Sequence, residues 1–175
     1  MTPPSPLLVA VRASFVVVVV LVVQLGVAPH LAPFDIQADL LLLVAIAAGI
    51  AAGPARGAAL GFAAGVAYDL VLQTPFGLSA LTYCLIAYWV GSLQDSVLRA
   101  AGWIPLATAT AASALGVILY GVLGTVVGED LVHPSLLRIA AVVALLNTLP
   151  APLVVRAVRW ATGSSDRRRA VAVFR

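Results

Sequence analysis

A carboxylate at Asp69 closes a ladder of glycines four residues apart, Gly57, Gly61 and Gly65, and the stretch that follows Gly57, AALGFAAGVAYDLVL, is apolar. Residues four apart share one helix face, so the ladder is a stripe without side chains that ends in a charge. Such a stripe lets another helix come close in lipid. An ionisable group in an apolar segment is costly, and it can act as an ion or substrate ligand or as the anchor of a partner helix. It can also be a structural carboxylate, protonated or hydrogen-bonded, that fixes a helix bundle. The structural reading is the stronger, because few other ionisable groups reach its depth.

The remaining candidates give catalysis little support. His30 and His133 fall in separate loops without metal-ligand spacing. Ser79, Ser92 and Ser113 have no histidine in the same layer to activate them. No phosphate-cradling loop or nucleotide motif is present. The single Cys84 excludes an internal disulfide and a multi-cysteine metal site. The sequence therefore predicts neither an enzyme nor a cofactor. Arg167, Arg168, Arg169 and Arg175 near the C-terminus suit topology and anionic-lipid contact better than nucleic acid.

The elements that must hold these residues follow from composition. The chain is 62% hydrophobic with a mean hydropathy of +1.10, more than a soluble domain of 175 residues needs. The excess predicts transmembrane helices, and the fold class is an all-α polytopic bundle of six. The spans are about 7–27, 40–53, 57–73, 78–93, 103–127 and 136–158. Residues 1–158 form the membrane domain and 159–175 a basic tail. The second and third spans fall short of the roughly 20 residues that cross the hydrocarbon, so they thin the bilayer, are shielded by neighbouring helices or form a re-entrant pair. Thr74-Pro75-Phe76-Gly77 is a turn signal between the third and fourth. Pro150 and Pro152 predict a kink in the sixth.

Charge sets the orientation. With six spans, Arg12, Arg56, Arg99, Arg156, Arg159 and the tail arginines fall on one side. Asp35, Asp39, Glu129 and Asp130 fall on the other, with only Arg138 near them. The positive-inside rule then puts both termini in the cytoplasm. Trp89, Trp103 and Trp160 lie toward the cytoplasmic helix ends, where an interfacial belt belongs. The first apolar run, with Gly26-Val27-Ala28 after it, imitates a signal peptide. It is longer than the usual apolar core of one, and its removal would spoil the charge partition, so it is read as a retained span.

Depth counting joins these residues. At 1.5 Å per residue, Asp69 lies about 20 Å beyond Arg56, in the outer half of the bilayer. Gln24 on the first helix, Tyr83 on the fourth and Arg138 at the start of the sixth fall at similar depth. Some of these groups are expected to converge on Asp69, with Gly61 and Gly65 allowing the close approach. Gln24 and Asn147 also suit interhelical hydrogen bonds. Gly49 and Gly53 repeat the ladder spacing, whereas Gly116, Gly121, Gly124 and Gly128 do not keep one register.

Residues 61–83 carry a resemblance. Gly61, Phe62, Gly65, Asp69, Pro75, Gly77, Leu81 and Tyr83 stand where the bacterial rod shape-determining protein MreD family has its glycine, aromatic, aspartate, proline and tyrosine positions. The proline- and aspartate-containing approach to the second helix, residues 32–40, is also similar. The resemblance implies a non-enzymatic subunit of the cell-elongation machinery in the inner membrane. Its implied partner is an MreC-like single-span periplasmic protein. The pair would support a peptidoglycan glycosyltransferase–transpeptidase complex and MreB filaments. The implied fold is similar to the membrane substrate-binding subunits of energy-coupling-factor transporters, which supplies the alternative of a small-solute binding subunit. That alternative needs a polar exterior pocket, and the exterior loops carry few polar or aromatic residues.

Overall fold

The computed structural model describes residues 5–32, 35–72, 75–93, 103–129 and 132–163. The predicted connection at 94–102 with Asp95 and Arg99, Asp130 in the last exterior loop, and the tail arginines Arg167, Arg168, Arg169 and Arg175 lie outside the described residues. The described residues form helices and turns, with no strand among them. The helices are α1 (Pro6–Gly26), α2 (Leu40–Ala52), α3 (Pro54–Asp69), α4 (Leu78–Ser92), α5 (Ile104–Val126), α6 (Leu136–Thr148) and α7 (Ala151–Thr162), with a short 3-10 turn at Ala28–Leu31.

The predicted sixth helix is two. The bend between α6 and α7 is 64°. Pro150 and Pro152 bring no N–H for the carbonyls of Leu146 and Thr148, and each ring crowds the carbonyl four residues back. Two such residues two positions apart end one helix and start another, rather than kink it. α7 also runs to Thr162, past the predicted end at Val158, and stops at Gly163 with φ 66°. By length and composition α1 and α5 can cross a membrane, and α6 with α7 makes a third crossing if the bent pair is one span.

α2 is the centre. Its sequence is apolar on every side, and Leu41 through Ala51 are all buried. A helix that is apolar all round belongs inside. α3, α4, α5 and α7 surround it. α1 is apolar all round as well, but it lies at the edge and exposes Leu7, Val11, Phe15, Val18 and Val22. Leu137 on α6, Leu149 in the bend and Leu153 on α7 are exposed as well. An apolar surface this continuous is what lipid covers, not water.

The glycine ladder meets two helices rather than one. A Cβ at Gly57 would stand 2.7 Å from the Cα of Gly49 on α2. One at Gly61 would stand 2.6 Å from the carbonyl oxygen of Tyr83 on α4. One at Gly65 would fall on the backbone of Ala80. Gly49 is itself pressed against α4, where its Cβ would lie 2.5 Å from the carbonyl oxygen of Ala87. α2, α3 and α4 are therefore joined backbone to backbone, as small residues allow in lipid.

Candidate functional site

Two carboxylates organise the bundle, Asp69 buried and Asp39 half-buried, and they do different work. Asp69 is the last residue of α3, not a residue within a longer span as predicted. Its carboxylate accepts from the N–H groups of Gly77 (2.9 Å), Ser79 (3.2 Å) and Ala80 (3.1 Å). These are first-turn donors of α4, which have no partner inside the helix. Gly77 precedes α4 with φ 97°, a backbone that a residue without Cβ adopts freely. Pro75 and Gly77 thus turn the chain back, and Asp69 clasps the turn from the helix before it. Negative charge is also favoured at a helix N-terminus. Replacing Asp69 by Leu should lower stability by about 2 kcal/mol or more, because the donors lose their acceptor. Asp69→Asn keeps one oxygen and should lose about half as much. Thermal unfolding in detergent reads both; a Leu variant as stable as the parent contradicts the clasp.

The expected convergence of Gln24 and Tyr83 on Asp69 does not occur. Gln24 and Tyr83 turn instead toward the segment that leads into α2. The Gln24 side chain donates from Nε2 to the carbonyl of Ala38 and accepts at Oε1 from the N–H of Leu40, both at 2.8 Å. Asn147 makes the same double contact from the other side. It accepts the N–H of Asp39 and donates to the carbonyl of Asp39, both at 3.0 Å. Its Nδ2 also donates to the Ser113 hydroxyl at 3.0 Å. Two amide side chains therefore stand in for a neighbouring strand and satisfy four backbone groups. The physical demand is clear: non-helical backbone is tolerated at membrane depth only where protein satisfies it.

Asp39 completes this hub. Its carboxylate accepts from the N–H of Leu42 (2.9 Å) and so caps α2. The Tyr83 hydroxyl donates to it, 2.8 Å from both oxygens. Tyr83 stacks on Tyr68 of α3 with ring centres 6.4 Å apart. Arg138 is exposed near the start of α6.

Sequence reasoning placed Asp39 only as an exterior charge and Ser113 only as a failed nucleophile. An Asp immediately before an apolar run is an N-cap signature, and that signal was available. No signal marks Asn147 and Ser113 as its partners. The hub also explains why α2 is short. Ser113 lies nine residues into α5, or roughly 14 Å along its axis. The lead-in to α2 thus reaches about the middle of α5 in extended form, and the helix supplies the rest.

The motif of residues 61–83 becomes one device: Gly61 and Gly65 form the seam, Asp69 the clasp, Pro75 and Gly77 the turn, and Tyr83 the link to Asp39. Among the described residues no group of three histidine, cysteine or acidic side chains is placed to hold a metal. Comparison with curated proteins and with solved structures finds no match. The family profile described as rod shape-determining protein MreD matches residues 6–155, and the chain belongs to this family of membrane proteins.

Proposed function

We propose that the chain is a non-enzymatic scaffold of the cell-elongation machinery in the bacterial inner membrane. It binds an MreC-like single-span partner and, through it, the peptidoglycan glycosyltransferase–transpeptidase complex and MreB. The observation that carries this reading is the use of the two interior carboxylates. Asp69 and Asp39 are both engaged in holding backbone and helix ends of this same chain. Polar chemistry in the interior builds a rigid bundle, and the extensive apolar exterior is left for recognition by helix packing.

The proposal includes six crossings, with α6 and α7 as one broken crossing and both termini in the cytoplasm. The likeness to the substrate-binding membrane subunits of energy-coupling-factor transporters, implied by the resemblance, is part of this proposal. Support comes from the arginines: the Arg12 guanidinium lies 4.9 Å over the Trp160 ring, so the arginine-bearing parts of α1 and α7 share one end of the bundle. Alkaline phosphatase fused after Ala32 or Glu129 should be active. Fused after Arg56, Arg99 or Arg169 it should be silent. Activity at Arg99 contradicts the crossing pattern, and with it a scaffold that presents its partner outside.

A further inference from the structure

We draw no further inference here: the strongest candidate, the leucine face of α6 and α7 that runs through their 64° bend with Leu137, Leu145, Leu149 and Leu153 exposed, carries nothing because nothing in the structure shows what covers it.

Discussion

Gly65→Leu is expected to abolish recovery of folded protein. The added Cβ falls on the backbone of Ala80 and stands 2.6 Å from the carbonyl oxygen of Ser79. A clash with a flexible side chain is relieved by a rotamer change, at about 1–3 kcal/mol. Backbone has no such escape, so α3 and α4 must separate. Separation also pulls Asp69 from the N–H groups of Ser79 and Ala80. The loss should therefore exceed about 3 kcal/mol, a large share of the stability of a domain this size. Gly26→Leu is the matched control, since a Cβ there meets nothing within 4 Å. The readout is the yield of monodisperse protein in mild detergent and its thermal midpoint. Equal yields for the two variants would contradict the seam.

Asn147→Leu is the second severe change. It removes the acceptor of the Asp39 N–H, the donor to the Asp39 carbonyl and the donor to Ser113. Each buried group left without a partner costs about 1–3 kcal/mol, so the total should reach about 3 kcal/mol. Asn147→Asp is nearly the same shape and should still be harmful. It sets an oxygen against the Asp39 carbonyl and a second negative charge near the Asp39 carboxylate. Gln24→Leu should resemble Asn147→Leu, because it orphans the carbonyl of Ala38 and the N–H of Leu40. Ser113→Ala, which removes one neutral acceptor, should cost about 1 kcal/mol. The two amides share one backbone segment, so their effects should not add. Hydrogen exchange at Asp39 and Leu40 is the direct readout. Undiminished protection in Asn147→Leu would contradict the hub.

Apolar periodicity and length were enough to place α1, α4 and α5 within a residue or two. The all-helical class was equally legible, because a sequence this apolar has few other ways to satisfy its backbone in lipid. The boundary at Asp69 was not. The run Leu70-Val71-Leu72 reads as helix, and only the donors of α4, which come from a turn further on, show why the helix stops. The break at Pro150 was visible as two prolines, but its angle depends on what α6 and α7 pack against. Gln24 and Tyr83 were rightly picked out as polar groups within apolar segments, and the wrong partner was assigned to them: Tyr83 meets the Asp39 carboxylate, and Gln24 the backbone on either side of Asp39. Depth counting assumed that each polar residue sits in a straight span. Asp39 sits instead on an extended segment that descends into the bundle, and one-dimensional counting places it at the surface.

The central claim is that this chain works by holding a protein. The measurement that tests it most directly is capture of the tagged chain from its own membranes in mild detergent, followed by mass spectrometry of everything retained. The scaffold reading predicts a single-span MreC-like protein in near-equal amount and no stoichiometric small molecule. Asn147→Leu should lower partner recovery along with bundle stability. A one-to-one vitamin-like solute with no retained membrane partner would contradict the reading and turn the chain into a solute-binding subunit.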